Sequence, residues 1–285
     1  MYYGMILLSV CLFGGNFLCN RQYQKQIGNA AYAALLYTLL SALAGTLILL
    51  CVNRFRVELT PFTLLIAVLV ACNGIAYQFC ALRALGSINL SLFSLFAMLG
   101  GMVLPFVAGI LFFGEPLTLA KTICLLGISA ALLFTVQKEG GKKGSLYYVG
   151  IFVFNGMSGV LAKTFEAGNA PKTSAAGYSL LCAIITALIS GISLLAVFQT
   201  RKGSCKLSSL GFAVGGGSMG QIGNFLLVLA LSHVEASVQY PMVTGGVMIV
   251  CTLLGLLVGE KPPKRELFAV LVAFLSLLLL WVIRT

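Results

Sequence analysis

Stretches of roughly 20 mostly apolar residues, the length that crosses a bilayer as a helix, follow one another along almost the whole chain. They fall near residues 2–19, 30–52, 61–82, 88–113, 117–136, 146–165, 175–198, 207–231, 235–258 and 266–283. Hydrocarbon offers the backbone no water, so only structures that pair every N–H and C=O internally can span it. Runs this long are read as helices. With 60% hydrophobic and 9% charged residues and a mean hydropathy of +1.04, an ordinary soluble domain is excluded. Ten such helices leave almost nothing for an extramembrane domain. The first run has no basic leading segment, so it is expected to be a helix of the protein rather than a signal peptide.

The second half of the chain repeats the first. Ala84-Leu85 matches Ala230-Leu231, Ser91 matches Ser237, and Gly114-Glu115 matches Gly259-Glu260; upstream, Gly74 and Phe79 match Gly220 and Phe225, and Tyr2-Tyr3 match Tyr147-Tyr148. The expected division is a first five-helix repeat over 1–137, a polar, glycine-rich linker over 138–144 and a second repeat over 145–285. Five is odd, so two copies of one internal fold must insert in opposite orientations. Inverted repeats of this kind are a pattern of secondary transporters, with the solute site between the halves near the midplane.

The formal charge of +11 does not point to nucleic acid, because the basic residues sit in short connections and at helix ends, as topology signals do. With the N-terminus inside, the inner connections hold Arg54, Arg56, Lys121, Lys163, Lys172 and Arg284, and the other twelve of the 18 Lys and Arg lie opposite. By that bias both termini face outside. Nine cysteines, most inside apolar runs and none in a CxxC, together with one histidine, His233, argue against a disulfide framework or a metal site. No cofactor is expected.

Phe13-Gly14-Gly15-Asn16-Phe17, Ala81-Leu82-Arg83-Ala84-Leu85 and Gly114-Glu115-Pro116-Leu117-Thr118, in this order and at this spacing, resemble the EamA-type branch of the drug/metabolite transporter superfamily. The resemblance covers essentially the whole chain. It implies ten helices, a central cavity lined by helices 1, 3, 4, 6, 8 and 9, and export or uptake of small metabolites. It also implies cytoplasmic termini, against the charge bias. The family topology is the expectation adopted, with residues 138–143 outside and Thr285 in the cytoplasm.

Carrying a solute requires polar groups at membrane depth, where they are costly unless they face the bundle interior or a wet cavity. The substrate-binding candidates are Asn16 on helix 1, Asn73, Tyr77 and Gln78 on helix 3, Ser94 on helix 4, and Asn155 on helix 6. Helices 8 and 9 add Gln221 with Asn224 and Tyr240 with Thr244. Gln78 and Asn224 occupy matching register in the two copies. The competing reading is that these groups simply bond neighbouring helices. Gly216, Gly220, Gly255 and Gly259 fit close helix packing, and Pro105 and Pro241 can locally free backbone groups. No Asp or Glu lies near the middle of an apolar run, so the chain offers no clear coupling carboxylate. Lys163 is the deepest basic group and is expected to snorkel to the interface.

Glu115 and Glu260 are expected to act in architecture. Gly114 would close helix 4 in the left-handed conformation, leaving Glu115 and Pro116 at the start of the next helix, facing its unpaired N–H groups. The rival reading is a proton carrier. Enzymatic signals are poor. Gly216-Gly217-Ser218-Met219-Gly220 matches a serine-hydrolase pattern, but a continuous helix would hold Ser218 roughly 22 Å from His233, and a nucleophile elbow needs a strand-to-helix turn. No aspartate-rich pair exists to hold a diphosphate through magnesium.

These observations lead to an all-α integral membrane protein, ten helices in two inverted five-helix repeats, in the cytoplasmic membrane. The expected function is secondary transport of an amino-acid-like, nucleoside-like or drug-like metabolite by alternating access. A membrane scaffold or sensor using the same helices is the alternative. The expected partners are the solute and the lipid bilayer, with a homodimer left open.

Overall fold

A computed structural model describes residues 1–27, 31–85, 90–135, 145–197, 207–257 and 264–282. The chain is all-helical: α1 Tyr2–Ile27, α2 Ala31–Val52, α3 Pro61–Leu85, α4 Leu90–Phe113, α5 Leu119–Thr135, α6 Ser145–Ala167, α7 Ala175–Val197, α8 Leu207–Leu231, α9 Ala236–Leu257 and α10 Lys264–Val282. There is no strand among the described residues. Six helices (α1, α2, α4, α7, α8 and α9) carry windows long and apolar enough to cross a membrane, and α3, α5 and α10 carry shorter apolar segments.

Helix ends follow local chemistry. Thr60 precedes Pro61, which suits a first helical position because its missing N–H would be unpaired anyway, and the Thr60 hydroxyl accepts from the Thr63 N–H at 3.3 Å. Ser174 does the same for α7, accepting from Gly177 N–H at 3.1 Å. At the far end of α1 the helix outruns its apolar stretch. Tyr23 is only 2% exposed and its hydroxyl donates to the Ala33 carbonyl at 2.7 Å, which fastens the polar last turns of α1 to the start of α2.

Neighbours in the bundle come mostly from the opposite half of the chain. α1 lies against α8 and α9, while α6 lies against α3 and α4; α2 contacts α7 and α8, and α7 contacts α2 and α3. α4 meets α9 and α5 meets α10. Adding or subtracting five converts each of these partnerships into another of the set or, for α2–α7, α4–α9 and α5–α10, into itself. The largest apolar core joins Ile6, Met102, Ile128, Val238, Met248 and Ala273 from α1, α4, α5, α9 and α10.

Small residues set the close crossings. A Cβ on Gly100 of α4 would lie 2.1 Å from the Phe152 carbonyl oxygen of α6, and one on Gly156 would lie 2.4 Å from the Gly100 carbonyl oxygen. Each glycine therefore admits the other helix's backbone. On α8, a Cβ at Gly216 would meet Cys19 and Tyr37, and one at Gly220 would meet Asn16. Gly255 and Gly259 lie outside the described side chains. Pro105 is fully buried and packs where Gly159 of α6 leaves room, 2.5 Å from the position a Cβ there would take.

Candidate functional site

Six helices, three from each half of the chain, surround a cavity of about 300 Å³. α1 contributes Phe13 and Phe17, α3 Tyr77, and α4 Ala97, Met98 and Gly101. α6 contributes Asn155, Ser158, Gly159 and Ala162, and α8 Asn224, Leu227, Val228 and Leu231. α9 completes the wall with Tyr240, Val243, Thr244 and Val247. The volume lies at the lower end of the range for small-molecule sites, which are mostly apolar with a few placed polar groups. This wall has that composition.

The sequence candidates divide into three groups. Tyr77, Asn155, Asn224, Tyr240 and Thr244 line the cavity. Asn16, Asn73 and Gln221 belong to helix contacts beside it. The Asn16 oxygen accepts from the Tyr37 hydroxyl at 2.6 Å. Asn73 donates through one nitrogen to the Phe154 carbonyl at 2.8 Å and the Ser158 hydroxyl at 2.9 Å. Gln221 packs onto Gly45 of α2, where its Cγ stands 2.4 Å from where a Cβ would be. Helical spacing assigns a residue to a face, but it does not say which neighbour that face meets. The side chains of Gln78 and Ser94 lie outside the described residues.

Within the wall, Asn155 donates to the Ala97 carbonyl at 2.6 Å, across the α4–α6 crossing that Gly100 and Gly156 keep tight. Tyr240 donates to the Gly159 carbonyl at 3.0 Å. Asn224 is exposed toward the cavity, and its carboxamide has no hydrogen-bond partner among the described residues.

One end of this cavity meets a cluster of charges. Gly114 takes a φ of +65°, a left-handed conformation that lacks steric cost only for glycine. The chain turns back there, the Glu115 N–H reaches the Gly109 carbonyl at 3.0 Å, and the Glu115 side chain points into the bundle. Its carboxylate accepts from Ala236 N–H and Ser237 N–H, both at 2.8 Å, and pairs with the Lys163 ammonium at 3.0 Å. The carboxylate thus caps α9, whose first N–H groups have no partner within their own helix. Beside it, Lys121 pairs with Glu235 at 2.5 Å and donates to the Pro116 carbonyl at 2.7 Å. Burial of Glu115 would raise its pKa. The hydrogen bonds from Ser237, Ala236 and Lys163 oppose that and leave it below the ordinary carboxylate value.

Two expectations need correction. Glu115 does not begin α5: Thr118 caps that helix, its hydroxyl accepting from Lys121 N–H at 3.4 Å, and the glutamate caps a helix 121 residues away. Lys163 does not snorkel. Its side chain is 13% exposed, held by a carboxylate that the sequence places far from it. The one available signal was that a basic residue inside an apolar run calls for a partner. Glu260, the matching glutamate, lies outside the described residues.

The hydrolase pattern has a local explanation. Ser218 donates to the Val214 carbonyl of its own helix at 2.8 Å. The His233 ring stacks on Tyr2 with centroids 3.8 Å apart, and its two nitrogens lie within hydrogen-bond distance of the Tyr2 and Ser232 hydroxyls. Ser218 and His233 each have other partners.

No family model matches this chain, and no curated protein matches it. A chain from a solved crystal structure, described only as a protein, is similar in fold with a TM-score of 0.77. It is 15% identical, and the match covers 96% of this chain and 94% of that one. The likeness extends to the whole helical arrangement. At that identity it concerns fold alone.

Proposed function

We propose that this chain is a secondary transporter that moves a small organic metabolite across the cytoplasmic membrane, as an EamA-type member of the drug/metabolite transporter superfamily. One observation carries the reading. The cavity lies among six helices drawn equally from the two halves, and polar groups that could replace hydration occupy a wall that is otherwise apolar. The exchange of neighbours on adding five supports two inverted repeats. In that arrangement all ten helices span, and the halves rock against each other about a midplane site. The described end of the cavity at Ala162 and Tyr240 is latched by Glu115, which ties α4 to α6 and α9. Alternating access then requires the latch to open on that side. The lowered pKa of Glu115 favours a charged structural group over a carboxylate poised to exchange protons near neutrality.

Reconstitution tests this directly. Purified protein in sealed liposomes should accelerate counterflow of a solute that also raises its thermal midpoint, since a ligand binding only the folded state adds stability. Solutes that bind but are never accelerated, in either direction and under any ion gradient, would instead support a sensor or scaffold. In the family topology, residues 138–143 are outside. Labelling of a cysteine placed there only from the cytoplasmic side would reverse that assignment.

A further inference from the structure

The walls of the cavity carry no ionisable side chain other than tyrosine hydroxyls among the described residues. Aromatic rings stand on three of its helices: Phe13 and Phe17 on α1, Tyr77 on α3 and Tyr240 on α9. The charges nearest in sequence to the wall are satisfied elsewhere. Lys163, next to the wall residue Ala162, is paired with Glu115 at 3.0 Å. The N-terminus of α9 could otherwise receive an anion, but Ala236 and Ser237 already donate to that same carboxylate. Among the described residues the cavity helices run unbroken past the site, so none of these helices turns a broken end and its dipole inward there, as happens where transporters hold a solute carboxylate. Among the described wall residues a charged solute would meet no counter-charge while losing its hydration, which is strongly unfavourable.

What the wall offers instead is amide chemistry. The Asn224 carboxamide, with two donor hydrogens and an acceptor oxygen, has no partner among the described residues. Asn155 uses its nitrogen on Ala97, leaving its oxygen as an acceptor. Resting on the transport reading above, we infer that the site takes an uncharged, flat, ring-containing solute with a carboxamide or lactam edge. The ring would lie against the aromatic side chains and the edge would exchange hydrogen bonds with Asn224 and Asn155.

Isosteric pairs that differ in charge test this. Nicotinamide and nicotinate share one ring, as do indole-3-acetamide and indole-3-acetate, and at pH 7 only the acids are ionised. Titrated by thermal stabilisation of the purified full chain, each amide should bind about tenfold or more tightly than its carboxylate, the scale of one well-made hydrogen bond plus the missing counter-charge. Asn224→Leu should reduce that preference, and Ser218→Ala, on the same helix but outside the wall, should keep it; if the leucine variant does not accumulate, Asn224→Ser provides the same reading. Equal or tighter binding of the carboxylates, or binding of neither member of either pair, overturns the inference. Counterflow separates the two readings. Amides that bind but are not moved would sink transport and leave the neutral site standing, whereas carboxylates moved in preference to amides would sink the neutral site and leave transport standing.

Discussion

Two regions of this bundle handle polarity in opposite ways. Around Glu115 the protein buries full charges and satisfies them: a carboxylate 7% exposed receives two backbone N–H groups and an ammonium, and a second pair, Lys121–Glu235, sits beside it. Along the cavity the described walls are neutral, and Asn224 has no hydrogen-bond partner among the described residues. A group that holds helices together gains from being saturated, because any lone pair left over is paid for in desolvation. A group that must take up a solute needs unused capacity. The contrast separates fastening from recognition within one set of helices.

Breaking the fastening should have the largest effect. Lys163→Met leaves the Glu115 carboxylate buried beside the α9 N–H groups alone, and loss of one partner from a buried pair costs about 3–5 kcal/mol. Folded yield and the thermal midpoint should fall sharply. Glu115→Gln with Lys163→Met should recover much of the loss, since the pair is then removed together. A single variant as stable as the parent would show that the pair does not hold the bundle.

Gly109→Ala probes the same region through packing. Its Cβ would stand 2.7 Å from Glu115 Oε2, so the carboxylate must shift, at about 1–3 kcal/mol. Gly74→Ala is the matched comparison, because nothing lies within 4 Å of a Cβ there. Similar midpoints for the two variants would contradict the packing described.

Acid should act on the fastening more gently. Glu115 has a lowered pKa in the folded protein, its ordinary value being 4.5. Its stabilising contribution is therefore complete above 4.5 and is lost as the pH falls through the lowered, folded value. Unfolding midpoints measured across this acid range should decline for the parent, and Glu115→Gln should remove that part of the slope. An identical profile in the variant would assign the acid sensitivity to other groups.

The smallest effect belongs to the cavity wall. Tyr240→Phe removes a hydrogen bond to a helix carbonyl, worth about 0.5–1.5 kcal/mol, so stability should change little. Solute affinity, read by thermal shift, is the sensitive measurement here. A large fall in stability instead would move Tyr240 from recognition to fastening.

The helices were legible because bilayer-length apolar runs leave the backbone one way to pair its polar groups. Candidate groups were legible as types: amides, tyrosines and hydroxyls inside apolar runs. Their destinations were not. Asn16, Asn73 and Asn155 are all amides at apparent membrane depth, yet Asn16 is held by Tyr37 and Asn73 by α6, while Asn155 lines the cavity. Periodicity gives the angle of a side chain around its own helix and nothing about what stands across from it.

Glu115 marks the boundary between what the chain and the fold each determine. From the sequence alone came the helix stop at Gly114 and the expectation that the carboxylate would meet unpaired N–H groups, because both follow from the chemistry of a few adjacent residues. Tertiary structure chose which helix it caps and gave Lys163 its partner. Electrostatic attraction depends on distance in space, and Glu115 meets Ala236 only once α4 and α9 pack against each other. The same holds for the cavity. Its chemical ingredients are written along six separate helices, and only their packing brings them around one space.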